Sequence, residues 1–262
     1  MRMTSQRLSK RQIKKRTMAL REAGRLYDLD DPSMEKRFSD SIDRFCDIIF
    51  ALQGARRVLD IGTGPGLLVT LFHEFGHECH AVDFIELNPE ITSFFRDREI
   101  HFKLCNAEVD NLPYPDNWFD AVTCCQVLEH FTHSHLHIIR EIYRVLKTGG
   151  LVEVDVPNVV CFRNRSRIIR GKNITWDYKD NYIHAAPKKY RGYSFFPDRH
   201  NREFTKRELE VLLSEGGFKN IQTKHIKSVR VLKGWQKILL IGAHIRDLVP
   251  SFRKSIMGFA EK

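Results

Sequence analysis

Apolar positions along this chain fall into short runs and helical stripes that alternate. Val58–Ile61 is a β-branched and apolar run that reads as a strand. Just beyond it, Leu67, Leu68, Leu71 and Phe72 recur at i, i+1, i+4 and i+5, the spacing of one buried helix side. Further short apolar runs follow at His80–Phe84, Ile100–Leu104, Phe119–Cys125 and Leu151–Val156, the last preceded by a helix and Gly149-Gly150. Strands alternating with helices over residues 56–156 predict a parallel sheet with helices on both faces, an α/β fold. Upstream, Asp31-Pro32 supplies an N-cap and a favoured first helical residue; Phe38, Ile42, Phe45, Ile48 and Ile49 form one apolar face, and the helix ends near Gly54. Downstream, Thr205 and Glu208 make a capping box, a helix runs over 209–215 to Gly216-Gly217, and a strand lies within 218–229. An apolar helical segment at 235–249 and a last strand at 255–260 complete the pattern.

At 262 residues the chain is long enough for one such domain with a full core and an insertion. The pattern divides it into an arm and packing helix (1–54), a central core (55–157), an insertion (158–204) and a completion of the sheet (205–262). There is no apolar run of about 18 residues, and the basic N-terminus lacks an apolar leader core. A soluble, unexported, cytoplasmic protein is expected. Its six cysteines have no Cys-x-x-Cys spacing and are expected to be reduced and mostly buried. The net charge of +10 points to acidic partners, whether nucleic acid, a phospholipid surface or a phosphorylated sugar. Residues 1–24 are basic and poor in large apolar groups, which predicts a mobile or solvated arm, with nucleic-acid or membrane contact as the alternative. The 158–204 insertion interleaves arginines and lysines with aromatics and should overhang a site at the strand ends. From this stretch Arg163, Trp176, Tyr193 and Arg202 are expected to touch an acceptor, aromatic faces stacking on rings and guanidinium groups binding anions. The 235–249 segment could face a membrane or lipid-linked acceptor, against packing into the core or a dimer contact.

The chemistry concentrates in Val-Leu-Asp-Ile-Gly-Thr-Gly-Pro-Gly, residues 58–66. Gly62, Gly64 and Gly66 permit a sharp turn and close approach of a ligand. No Gly-Lys-Ser/Thr follows, so this is not a phosphate-binding P-loop. Asp60 before the turn would repel a pyrophosphate but suits a ligand carrying an ammonium group. Asp83 stands about 20 residues further on, where an acid can hold a ribose. Then come Cys105-Asn106-Ala107-Glu108, Leu112-Pro-Tyr-Pro, Phe119-Asp120 through Gln126-Val-Leu-Glu129-His130, and Leu151 through Pro157-Asn158.

This ordered set resembles the class I S-adenosylmethionine-dependent methyltransferases, particularly the small-molecule and glycan group, over roughly residues 25–262. The resemblance implies a Rossmann-like, seven-stranded, mostly parallel sheet, its last strand antiparallel to the one before, with a substrate-cap insertion. It implies S-adenosyl-L-methionine as cofactor, with S-adenosyl-L-homocysteine as product. Asp83 would hold the ribose hydroxyls, Phe84 the adenine face, and Asn106, Ala107 and Glu108 the adenine edge. Asp60, Gly62, Thr63, Gly64 and Gly66 would surround the methionine tail, Gln126 the methyl end, and Tyr27 a lid. A hydroxyl acceptor benefits from a general base, and His200, His130 and Glu203 are the candidates. No metal is expected: a related RNA-end methyltransferase family uses two glutamates and two histidines, one pair written Glu-x-x-Glu-His, and Gln126 replaces the first acid here. His133, His135 and His137, two apart at a helix start, do not face one another. The expected activity is O-methylation of a sugar or another small anionic or ring-containing acceptor. Alternatives are an RNA or tRNA methyltransferase and a non-catalytic cofactor-binding module. The oligomeric state is not legible.

Overall fold

The computed structural model describes residues 7–27, 30–175, 178–227 and 246–262. Trp176 and most of the segment expected to be helical at 235–249 lie outside these described residues.

The basic arm is the first departure from the sequence expectation. Its residues Lys10–Glu22 form a helix, α1, with a Ser9/Gln12 capping box. Ile13 and Thr17 are buried against α2 (Pro32–Leu52). Three of its cations pair with acids of α2: Lys10 with Asp47 at 2.7 Å, Lys14 with Asp43 at 2.5 Å and Arg21 with Glu35 at 2.7 Å. Exposed pairs of this kind contribute little each. Together with the buried Ile13 they fix where the helix lies.

Parallel strands follow, with connecting helices: β1 (Arg57–Ile61), α3 (Leu67–Glu74), β2 (Glu78–Asp83), α4 (Pro89–Arg96), β3 (His101–Leu104), β4 (Phe119–Cys125), α5 (His135–Val145) and β5 (Leu146–Pro157). After the insertion come α7 (Lys206–Glu215), β8 (Lys219–Ile226) and β9 (Ser255–Glu261). The seven-stranded sheet has the order β3-β2-β1-β4-β5-β9-β8. Its first five strands are parallel, and β9 lies antiparallel between β5 and β8.

Alternation along each strand sends neighbouring residues to opposite faces. Val58 and Ala121 join a core cluster with the apolar faces of α2 and α3, whereas Leu59 and Val122 join one with α5 and α7. The N-capped helix starts behave as the sequence predicts, with Asp31 accepting from Ser33 and Met34 and Thr205 making its box with Glu208. No described helix is long and apolar enough to cross a membrane.

The insertion leaves and returns at one point, where Asn158 bridges to Phe204. Buried Asn158 donates to the carbonyls of Ser251 and Arg253 at 2.9 and 2.8 Å, locking that junction. Between its ends lie α6 (Phe162–Ile169), a wide turn at Lys179–Ile183, and a hairpin of β6 (Lys188–Tyr190) and β7 (Tyr193–Phe195). The hairpin is anchored to the core where Tyr190 hydrogen-bonds Asp110 and Arg191 pairs with it at 3.0 Å. Strand order reverses at β1 and β4, so the carboxyl ends of these strands open the crevice in which sheets of this kind bind ligands.

Candidate active site

The turn after β1 is built for close approach. Gly62 has φ +69° and donates to the Val82 carbonyl at 2.9 Å; a Cβ there would collide with the Val127 side chain. Gly66, at φ +81°, starts α3 so close to Phe95 that a Cβ would lie 2.5 Å from its ring. Gly64 differs: it has φ +51°, and nothing stands within 4 Å of where a Cβ would be. The turn therefore presses its backbone into the fold at Gly62 and Gly66 and exposes it at Gly64.

Asp83, at the end of β2, accepts from the Gly64 N–H at 2.9 Å and from the Ile85 N–H at 3.0 Å. Burial pushes its carboxyl above the usual range despite these bonds. Its remaining lone pairs face a cavity of about 510 Å³. That size suits a nucleoside-containing ligand. Gly62, Gly64, Asp83, Phe84, Asn106 and Gln126 line it together with Tyr193 and Phe195 of the insertion, the Phe195 ring 6.1 Å from that of Phe84. The Asn106 side-chain nitrogen is buried with no hydrogen-bond partner, a donor left over for a ligand acceptor.

At the far end, Gln126 follows β4 with φ +55°, unusual for a residue with a side chain. Asp155 of β5 holds it twice, its carbonyl accepting from the Gln126 N–H at 3.0 Å and its Oδ1 from Nε2 at 2.5 Å. Arg44 of α2 pairs with the same carboxylate at 3.2 Å. His130 lines the cavity nearby, its Nδ1 2.9 Å from the Arg199 carbonyl. That acceptor fixes the proton on Nδ1 and leaves Nε2 with a lone pair. Burial lowers the His130 pKa, so the neutral ring is favoured. His200 packs edge-on behind it at 5.0 Å between ring centroids, with Glu203 3.6 Å from its Nδ1. Glu203 in turn accepts from Asn164 of α6 at 2.5 Å. Glu129 is fully buried, both carboxyl oxygens lack a hydrogen-bond partner, and burial raises its pKa well above the usual range. No metal is expected from the motif, yet single ligand atoms of Glu129, His130 and His200 lie within 4.8 Å of one another.

The cavity wall thus carries Gly62, Gly64, Asp83, Phe84, Asn106, Ala107, Glu108, Gln126, His130 and Tyr193 of the residues the sequence singled out. Others sit elsewhere. Asp60 is buried beneath the turn, accepting from Thr123 at 2.7 Å, and burial lifts its carboxyl to about 6. Thr63 is buried and Gly66 faces Phe95. Tyr27 packs edge-on against Phe94 of α4 at 5.3 Å rather than over the cavity, because an apolar partner lies within its reach there. Arg163 donates to the Ile174 carbonyl at 2.7 Å, tying the insertion to itself. Arg202 pairs with Glu208 at 2.5 Å, on the α7 side of the junction. His200 and Glu203 stand behind His130 rather than on the wall. The Glu108 carboxylate is engaged: Thr132 and His133 donate to it from backbone and side chain at 2.6–2.8 Å. Burial raises its pKa, but those bonds outweigh it and hold the group below the usual range.

Sequence reasoning missed Arg37 of α2, Thr132, His133, Phe195 and Asp198, all on the cavity wall. Phe195 and Asp198 stand beside residues it did select, and that neighbourhood was the available signal. Arg37 gave none, since it precedes Phe38 on a helix read only for its apolar face.

A glycine-turned backbone, a diol-sized carboxylate and an unpartnered amide around one cavity fit a ligand made of a base, a ribose and an amino-acid tail. The family described as "Methyltransferase domain" matches residues 31–223. The chain is 37% identical over 98 residues to the uncharacterized methyltransferase YcgJ of Bacillus subtilis, 36% of this chain and 38% of that one. It is 31% identical over 130 residues to the ubiquinone/menaquinone biosynthesis C-methyltransferase UbiE of Ectopseudomonas oleovorans, 47% of this chain and 76% of that one. Against the Pseudomonas putida UbiE the match spans half of that protein's length. Among solved structures, an Archaeoglobus fulgidus SAM-dependent methyltransferase superposes with TM-score 0.55 at 18% identity, covering 84% of this chain and 91% of that one. The Burkholderia thailandensis 1,6-didemethyltoxoflavin-N1-methyltransferase, bound to S-adenosylhomocysteine, gives 0.53 at 19%, covering 95% and 88%. At such identities the structures attest the fold.

Proposed function

Because this chain belongs to the methyltransferase-domain family and uses S-adenosylmethionine, we propose that it O-methylates a small acceptor carrying a ring or an anionic group, with a sugar as the leading case. When bound, the cofactor supplies an electrophilic methyl on a sulfonium. Asp83 would accept from its ribose hydroxyls, the exposed backbone at Gly64 would meet its tail, and Asn106 would read its base. Alignment of a nucleophile with the methyl then supplies most of the rate.

The observation that carries the O-methylation reading is His130, a neutral imidazole on the cavity wall with Nδ1 committed to the Arg199 carbonyl. A base of this kind removes the proton of a hydroxyl as it attacks. The ring-selecting part of the proposal rests on Tyr193 and Phe195, which bring two aromatic rings of the hairpin to the cavity. His200 and Glu203 hold His130 from behind in this reading. An RNA acceptor draws less support than the charge suggests, because Lys10, Lys14 and Arg21 are paired with acids of the fold.

The test is transfer of labelled methyl from S-adenosylmethionine into a cell extract, then separated into nucleic-acid, lipid-and-glycan and small-molecule fractions. Label in the glycan or small-molecule fraction is expected. Label confined to RNA would replace the reading, and binding without transfer to any fraction would favour a non-catalytic module.

A further inference from the structure

The wall of the cavity at Gln126 is held by charged groups of the neighbouring strand β5 and of α2. Asp155 and Glu153 lie fully buried on β5, and Arg44 reaches them from α2. Arg44 meets Asp155 at 3.2 Å, whereas Glu153 is engaged by the Cys125 thiol at 3.0 Å. Neighbouring buried carboxyls cannot all ionise against one guanidinium. Burial raises both carboxyls, Glu153 far more, and the guanidinium in contact with Asp155 opposes that rise, so of the two Asp155 is the one favoured to carry the charge.

An ionised carboxylate only accepts hydrogen bonds. A side-chain amide beside it must turn its NH₂ toward it, and the amide carbonyl then points the other way. Asp155 Oδ1 takes Nε2 of Gln126 at 2.5 Å, and Gln126 lines the cavity. The backbone is pinned as well, since the Asp155 carbonyl holds the Gln126 N–H at 3.0 Å in its left-handed conformation. We propose that the Arg44–Asp155 pair is a positioning device that fixes the Gln126 amide with its carbonyl oxygen toward the cavity, so that this end of the site selects a ligand group that donates a hydrogen bond. Two sources offer that chemistry: the ammonium of the cofactor's tail, or an O–H or N–H of the acceptor. An acceptor offering only hydrogen-bond acceptors there is disfavoured. The inference rests on the cavity being the cofactor site.

Asp155→Asn lets the Gln126 amide turn over, because an asparagine can donate where aspartate could not, whereas Asp155→Glu keeps an acceptor-only partner. Titration calorimetry with S-adenosylhomocysteine and with 5′-methylthioadenosine, which lacks the tail, separates the two sources. If the ammonium is read, Asp155→Asn weakens S-adenosylhomocysteine about tenfold or more and leaves methylthioadenosine unchanged. If the acceptor is read, both nucleosides bind as before and transfer of labelled methyl from S-adenosylmethionine into the cell extract falls by a similar factor. In either case Asp155→Glu restores part of the loss. Equal behaviour of the Asn and Glu variants would make the role merely structural and overturn the proposal, as would wild-type behaviour of Asp155→Asn.

Should the variants fail to fold, the wild-type chain labelled with ¹⁵N-glutamine carries its own test. The Gln126 side-chain NH₂ is expected to be protected from exchange, and an NH₂ exchanging as freely as a surface glutamine's overturns the proposal. A wild-type chain that binds neither nucleoside would refute the cofactor site itself, while the amide signal would still report on the Arg44–Asp155 device.

Discussion

Asp83→Asn isolates the charge that the site presents to a ribose. In the wild type, both carboxylate oxygens are engaged by the backbone, Oδ2 by Gly64 at 2.9 Å and Oδ1 by Ile85 at 3.0 Å, and their remaining lone pairs face the cavity. Asparagine has the same shape but one acceptor oxygen. Its NH₂ must therefore face either a backbone N–H or the position of a ribose hydroxyl. A hydrogen bond to a charged group contributes about 1.5–3 kcal/mol, so losing one should weaken cofactor binding about 10- to 150-fold. A backbone N–H left without its acceptor costs about 1–3 kcal/mol of stability, or roughly 2–10 °C in melting temperature at this size. Calorimetric titration with S-adenosylhomocysteine gives the first figure and thermal unfolding without ligand gives the second. A change in affinity of less than about twofold would refute the ribose contact, because no ribose can then depend on that carboxylate.

Other consequences follow from the same geometry. Gly62→Ala combines a positive φ with a clash against Val127, so about 2–4 kcal/mol should be lost, visible as a lower melting temperature and weaker cofactor binding; an unchanged variant would mean the turn relaxes freely. His130→Asn should lower turnover about 10²-fold or more while leaving S-adenosylhomocysteine affinity intact; turnover at the wild-type rate would remove His130 as the base. Burial lowers the His130 pKa, so the rate should be flat through neutral pH and fall only below the ordinary histidine value of about 6.5; a fall beginning above that value would contradict the neutral ring. If Glu129, His130 and His200 act as a proton acceptor and its supports, a chelator leaves the rate unchanged; loss of activity with the chelator, restored by a divalent cation, would assign the cluster to a metal. Asp60 is lifted to about 6 by burial, so its contribution to stability is greatest below the unfolded value of about 4 and is lost as pH rises through 6. Asp60→Asn should therefore be more stable than wild type at pH 7.5, by an amount of order 3 kcal/mol at most, and a lower melting temperature for the variant would contradict this.

Much of the fold is legible from local pattern, because β1 and β4 carry largely apolar runs and the starts of α2 and α7 are marked by the Asp31 and Thr205 caps. The ends of β1, β2 and β4 are likewise readable, since an acid, a glycine turn or a short polar stretch follows each run at once. What escapes is pairing over long separations. α1 reads as a solvated arm because the acids that neutralise it, Asp43, Asp47 and Glu35, belong to α2 and reveal nothing in the local sequence. Glu108 reads as a free adenine contact, yet its partners are Thr132 and His133 after β4. His200 reads as a base exposed to substrate, and only the return of the insertion to Phe204 places it behind His130. Arg44 looks like an ordinary helix cation until α2 packs and delivers it to Asp155.

The most direct measurement is the structure of the chain crystallised with S-adenosylhomocysteine. The ribose is expected on Asp83, the base beside Phe84 and Asn106, and the sulfur directed toward Gln126 and His130. A nucleoside bound elsewhere, or one entering this cavity with its sulfur turned away from His130, would contradict this placement.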